Sequence, residues 1–74
     1  MKVTVKLFAS LRTHNEKQLD LDLPQGATPG DIMKKMDIPQ DHVAIIMVNG
    51  LNSSRDTHLD EGDVVSLFPS VGGG

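Results

Sequence analysis

The 74-residue chain has room for one small domain and not for two. Hydrophobic residues make up 38% of it and aromatic residues only 3%, so its core must consist of Val, Leu, Ile and Met, and we expect no large, deep pocket. A formal net charge of −3 argues against nucleic acid as a partner, because nucleic-acid binding needs a basic face.

The chain contains no cysteine, which excludes disulfides, thiol nucleophiles and thiolate metal ligands. Small secreted domains usually carry disulfides, so this absence favours a cytoplasmic protein. The first residues, MKVTVKLF, alternate in polarity and lack the continuous apolar stretch of a signal peptide. No run of residues approaches the length of a membrane span, so we expect no membrane contact.

The first part of the chain predicts two strands in a hairpin. Val3, Val5 and Leu7 alternate with polar residues, which is typical of a half-buried strand. Residues 9–12 predict one helical turn, and residues 19–23 alternate again with Leu at the odd positions. The short connection between these two alternating segments favours an antiparallel pair.

A short amphipathic helix follows. Thr28 suits its N-cap, Pro29 its first position, and Asp31 completes a capping-box pattern with Thr28. Pro39 sets the latest residue at which this helix ends. The apolar residues predicted on one side of the helix are Ile32, Met33 and Met36.

The second half of the chain predicts three more strand segments. Residues 43–48 form a continuous, β-branched apolar run, which predicts a strand buried on both faces and ended by an Asn-Gly turn at 49–50. Leu51 would begin a short edge strand, Gly62 marks a tight turn, and residues 64–69 form the last strand.

This order of elements favours an α+β fold of the β-grasp (ubiquitin-like) type. We expect a mixed sheet of four to five strands with one main helix packed across it. The domain would span residues 1–69, and residues 70–74 would form a flexible C-terminal glycine tail.

Catalytic and metal-binding patterns are weak in this sequence. His14, His42 and His58 are scattered through predicted loops and predict no metal site. The glycine-containing segment at 26–31 lacks the lysine of a phosphate-binding loop, and the neighbouring Ser, Asp and His of 53–58 do not predict a catalytic triad. We therefore expect that the chain is not a catalyst on its own.

Two features point to interactions with other proteins. Phe8 and Phe68, the only aromatic residues, fit either the core or an exposed apolar patch beside the C-terminus, and the sequence leaves both open. The final glycines, 72–74, fit either an unstructured end or a tail that enters the narrow channel of another enzyme, where any Cβ would clash. In the second case the terminal carboxylate is a substrate.

Four segments of the chain form a recognisable set in their order and spacing: LFASLR at 7–12, GATPGDI at 26–32, VNG at 48–50 and LDEGDVVSLFPSVGGG at 59–74. With these segments the chain resembles the MoaD/ThiS sulfur carriers over its whole length, and most of all the small subunit of molybdopterin synthase. It implies that an E1-like activating enzyme uses ATP to adenylate the C-terminal carboxylate, which becomes a thiocarboxylate. It implies a second partner, the large synthase subunit, and no bound cofactor or metal.

The resemblance also implies roles for individual residues. Gly74 would carry the adenylate and then the sulfur, with Gly73 as the penultimate glycine beside it. Phe8, Phe68 and Leu51 would contact the partner proteins. The residues that would thread into the partner's active site are Pro69, Ser70, Val71 and Gly72.

Three alternatives stay open at this point. The same tail chemistry would serve a sulfur carrier for thiamine synthesis or tRNA thiolation. It would also serve a ubiquitin-like modifier, in which a lysine amine attacks the adenylate. The third alternative is a non-catalytic β-grasp binding module with an incidental glycine tail.

Overall fold

The computed structural model describes residues 1–11 and 17–70, without the side chain of Ser10. One α-helix, α1 (Pro29–Lys35), and one five-stranded sheet make up the regular structure of this part of the chain. The strands are β1 (Lys2–Leu7), β2 (Gln18–Asp22), β3 (Val43–Val48), β4 (Leu51–Ser53) and β5 (Val64–Pro69). Short 3₁₀ turns span Ala9–Leu11 and Gln40–His42.

The sheet order is β2-β1-β5-β3-β4, with β1 and β5 parallel and the other neighbours antiparallel. The predicted mixed sheet with one helix is therefore confirmed. Because β1 and β5 run parallel, their C-terminal ends lie side by side at the same end of the sheet. This places the residues after β1 next to the residues that lead into the glycine tail.

The predicted first hairpin is confirmed. β1 pairs with β2 from Lys2 opposite Asp22 to Lys6 opposite Gln18. The hydroxyl of Thr4 donates a hydrogen bond of 2.9 Å to the carboxylate of Asp20, which lies opposite it on the neighbouring strand. Of the polar stretch between the strands, residues 12–16 lie outside the described residues.

Helix α1 starts as the sequence predicts. The Thr28 hydroxyl accepts a hydrogen bond from the Asp31 amide, and the Asp31 carboxylate accepts one from the Thr28 amide, which completes the capping box. Pro29 occupies the first helical turn. The helix ends well before Pro39, because Asp37 has a left-handed φ of 60° that no helix continues through.

Strand β3 differs from the prediction. We expected it to be buried on both faces, and this is wrong: Ala44 and Ile45 are exposed, and Ile45 keeps 48% of its surface open. The helix covers only one side of the sheet, so one face of β3 stays exposed. The sequence does not show this, because residues on both faces of the strand are apolar. The predicted Asn-Gly turn is confirmed, with φ of 53° at Asn49 and 82° at Gly50, as a tight two-residue hairpin requires.

The core lies between α1 and one face of the sheet, which we call the inner face. Side chains of β1, β5 and the helix fill it, together with residues of the connecting loops. Its buried hydrophobic residues are Val3, Val5, Leu7, Leu11, Leu23, Ala27, Ile32, Met33, Ile38, Leu59, Val65 and Leu67. Met36 packs against this cluster from the end of the helix, as predicted. The opposite, outer face carries the candidate functional site.

Candidate functional site: the outer sheet face and the base of the tail

Phe8 and Phe68 stack on each other outside the core. Their ring centroids are 4.3 Å apart and the planes differ by 13°. Neither belongs to the buried cluster, and each is partly exposed. Leu67, the neighbour of Phe68, is fully buried on the inner face, so the alternation of β5 turns Phe68 outward. The open question from the sequence is resolved in favour of an exposed apolar pair.

The chain reaches this arrangement through the parallel pairing of β1 and β5. The Phe8 amide donates a hydrogen bond of 3.3 Å to the Leu67 carbonyl, which carries the pairing one residue beyond β1. Phe8 therefore lies level with Phe68 on the neighbouring strand. Rings at adjacent positions on one face of a sheet are within contact distance, which explains the stack.

Two residues of β3 extend the apolar surface, and the sequence did not identify them. Ile45 lies opposite Phe68 and Met47 opposite Ser66, so both side chains share the outer face with the rings. We call Phe8, Ile45, Met47 and Phe68 the outer patch. The uniform apolar run of β3 does not indicate which of its residues face the helix. Only the pairing of β3 with β5 shows that Ile45 and Met47 face outward.

Leu51, the third predicted contact residue, lies apart from this patch. It is 72% exposed at the β4 edge of the sheet. Its cross-strand partner is Val48, which packs against the core. Directly opposed residues share a face, so Leu51 is on the helix side of the edge strand and not beside the rings.

The base of the predicted tail is attached to the sheet. Pro69 pairs with Val43 at the start of β3. The Ser70 amide donates a hydrogen bond of 3.1 Å to the His42 carbonyl, and its hydroxyl donates one of 3.3 Å to the Asp41 carbonyl. The remaining predicted tail residues, Val71, Gly72, Gly73 and Gly74, lie outside the described residues.

Within residues 1–11 and 17–70, no group of three or more His, Asp or Glu side chains is positioned to hold a metal ion. In the same residues, no helix is long and apolar enough to cross a membrane. The Ser54 hydroxyl lies 3.3 Å from the Thr57 hydroxyl within a local turn. The outer patch is an apolar, partly exposed surface at the base of the tail.

The mixed sheet with one helix across its inner face defines a ubiquitin-like β-grasp protein. The model of the ThiS family matches residues 5–74, and the chain belongs to that family. Its relatives are ubiquitin-like sulfur carriers and protein modifiers, so the predicted MoaD/ThiS resemblance is confirmed.

Some similar proteins are named as protein modifiers and others as subunits of a molybdopterin converting factor. The chain is 29% identical over 92 aligned positions to small archaeal modifier protein 3 of Haloferax volcanii, with all of both chains covered. It is 30% identical, with a TM-score of 0.74, to a putative molybdopterin converting factor, subunit 1, of Pyrococcus furiosus, covering 95% of this chain and 98% of that one.

A third similar structure is a complex. The chain is 26% identical, with a TM-score of 0.66 and full coverage of both chains, to a chain in the protein–protein complex of subunits 1 and 2 of the molybdopterin-converting factor from Helicobacter pylori.

Proposed function

We propose that this protein is a sulfur carrier that acts as the small subunit of a molybdopterin synthase. The proposal rests mainly on one observation: Phe8 and Phe68 stack, partly exposed, on the sheet face opposite the core. Phe68 lies only two residues before Ser70, where the tail begins. Exposed aromatic residues mark protein interfaces. A carrier needs its docking surface at this place, because a partner must hold the domain while acting on the adjoining glycine segment.

The proposed chemistry takes place at Gly74. Its carboxylate oxygen attacks the α-phosphorus of ATP on the activating enzyme, and pyrophosphate leaves. The resulting mixed anhydride has a reactive carbonyl carbon, unlike the carboxylate. A sulfur nucleophile attacks that carbon, AMP leaves, and the chain ends in a thiocarboxylate. Gly73 and Gly72 have no Cβ and so fit the narrow channel that this reaction requires.

Two partners follow from this scheme, and both would act in the cytoplasm. The activating enzyme is E1-like and binds and consumes the ATP, so the carrier itself needs no bound cofactor. The second partner is the large synthase subunit, which would receive the sulfur for the cofactor of a molybdenum or tungsten enzyme. The similarity to the Pyrococcus furiosus subunit 1 and to a chain of the Helicobacter pylori complex supports this choice of pathway.

A protein modifier is the second candidate function. The full-length similarity to small archaeal modifier protein 3 favours it. Both functions share the adenylate at Gly74 and differ in the next nucleophile, which is sulfur for the carrier and a lysine amine for the modifier. The two functions are therefore distinguished by the products and not by the activation step.

Tail variants test the proposal. The protein, the activating enzyme of its host, ATP and sulfide are incubated together, and release of pyrophosphate and the mass of the carrier are followed. We expect a thiocarboxylate on the wild-type chain. We expect none on a chain that lacks Gly73 and Gly74, or on one with an alanine added after Gly74, because neither presents the glycine carboxylate at the right distance.

Thermal unfolding of both variants provides the control. Both changes lie beyond β5, so the melting temperature should stay at the wild-type value. Sulfur transfer by either variant at the wild-type rate would contradict the proposed role of Gly74. Adducts on lysines of other proteins, without a thiocarboxylate, would support the modifier function instead.

A further inference from the structure

We propose that Ser70 is a positioning residue for the reaction at Gly74, because its two hydrogen bonds fix the point at which the tail leaves the sheet. The inference rests on the proposed function and extends it to a residue of the folded domain. Ser70 was predicted as part of the tail that threads into the partner. In the structure its contacts attach it to the 3₁₀ turn Gln40–His42.

Both polar groups of Ser70 that can donate are used. The amide reaches the His42 carbonyl at 3.1 Å and the hydroxyl reaches the Asp41 carbonyl at 3.3 Å, so two consecutive carbonyls of one turn hold one residue. Pro69, the preceding residue, has no N–H to donate. The Ser70 amide therefore supplies the backbone N–H that Pro69 lacks at this end of the β3–β5 pair.

The turn that accepts these bonds is itself held in place. The His42 amide donates to the Pro39 carbonyl at 3.0 Å, which closes the turn. The Gln40 side chain accepts a hydrogen bond from the Arg55 guanidinium. The Arg55 carbonyl in turn accepts one of 3.0 Å from the Gly30 amide at the start of α1. Ser70 is thus connected to the body of the domain and not to a loose loop.

A fixed origin limits where Gly74 can be. Four residues separate Ser70 from the carboxylate, and four residues span at most about 14 Å when fully extended. An enzyme that docks on the outer patch must hold its reacting phosphate within that radius of Ser70. Anchoring Ser70 reduces the number of conformations that the tail can adopt after docking. The anchor should therefore raise the rate of adenylation within the docked complex and leave the affinity for the activating enzyme unchanged.

The test compares two substitutions at one position. Ser70→Ala removes the hydroxyl bond, whereas Ser70→Thr keeps a hydroxyl that can reach Asp41. With the full-length protein and its activating enzyme, we expect Ser70→Ala to lower kcat for adenylation about threefold, which is the size of one exposed hydrogen bond, with KM within about twofold of wild type. Ser70→Thr should restore kcat. Ser53→Ala, on the distant edge strand β4, is the matched control and should change neither constant.

Three results would overturn the inference: an unchanged kcat in Ser70→Ala, a change confined to KM, or a Ser70→Thr variant as slow as Ser70→Ala. Amide hydrogen exchange gives a second measurement that does not depend on activity. The Ser70 amide should be protected in the wild type and exchange several-fold faster in Ser70→Ala; an unprotected wild-type amide would also refute the anchor.

The failure of the proposed function has a different signature. A wild-type chain that is never adenylated refutes that function and, with it, the positioning role. A wild-type chain that is adenylated normally, together with an unaffected Ser70→Ala, refutes only the role of Ser70.

Discussion

The two faces of strands β1 and β5 differ in composition and in accessibility. On the inner face, Leu7 and Leu67 are 1% and 0% exposed and pack under the helix. One residue further along the chain in each case, Phe8 and Phe68 lie on the outer face and stack while partly open to solvent. The only two aromatic residues of the chain are therefore kept out of its core.

The two faces contribute differently to the stability of the domain. The inner face buries aliphatic side chains completely, and such burial contributes about 1.5–3 kcal/mol for each large side chain. The aromatic stack adds only about 0.5–1.5 kcal/mol beyond the area it buries. Phe8 and Phe68 stay partly open to solvent and so gain less from burial than the fully buried leucines of the inner face. We propose that their exposed surface serves partner binding.

The largest expected effect is on the inner face. Leu67→Ala leaves a cavity between β5 and the helix and should lower the free energy of unfolding by about 2–5 kcal/mol. A domain of this length is stable by only about 4–11 kcal/mol in total, so this loss is a large fraction of its stability. Urea denaturation followed by circular dichroism measures this. A loss below about 1 kcal/mol would contradict the assigned core.

An intermediate effect is expected on the outer face. Phe68→Ala should weaken binding to the large subunit or the activating enzyme about tenfold or more, as for an aromatic residue at the centre of an interface. Its loss of stability should be clearly smaller than that of Leu67→Ala. Titration calorimetry and urea denaturation measure the two quantities.

Val64→Ala is the matched control for this variant. Val64 lies on the same strand and, four residues earlier, on the same face, at the end of the sheet far from the tail. It should bind with nearly wild-type affinity. Equal losses of affinity in both variants, or a Phe68→Ala variant as unstable as Leu67→Ala, would break the proposed separation of the two faces.

The smallest effect is expected at Leu51. It is exposed at the β4 edge but lies on the helix side, away from the rings, so we propose that it makes a peripheral contact. Leu51→Ala should weaken partner binding by about twofold, as is usual for residues at the rim of an interface. A loss as large as that of Phe68→Ala would move the centre of the interface to the β4 edge.

Local signals in the sequence predicted much of the fold. The capping box of Thr28 and Asp31, the Asn-Gly turn and the alternation of β1 each specify their structure within a few neighbouring residues. These elements in their chain order were sufficient for a mixed sheet with one helix. The predictions failed at β3, where every residue is apolar and no alternation shows that Ile45 faces outward.

The candidate site was predictable only in part, for a related reason. Phe8 stands out as an aromatic residue that breaks the inward phase of its strand, and Phe68 as one beside the tail. The patch also contains Ile45 and Met47, whose place depends on long-range strand pairing. The anchor of Ser70 depends on two backbone carbonyls of a turn far away in the sequence. Every residue has such a carbonyl, so the sequence does not indicate which ones accept a hydrogen bond.

Intact mass spectrometry of the protein purified from its own host shows whether Gly74 carries sulfur. We predict a species heavier than the unmodified chain by the difference between one sulfur and one oxygen atom, and its disappearance when Gly74 is removed. An unmodified mass as the only species, together with lysine-linked adducts of this chain on other proteins, would contradict the carrier function and establish a modifier.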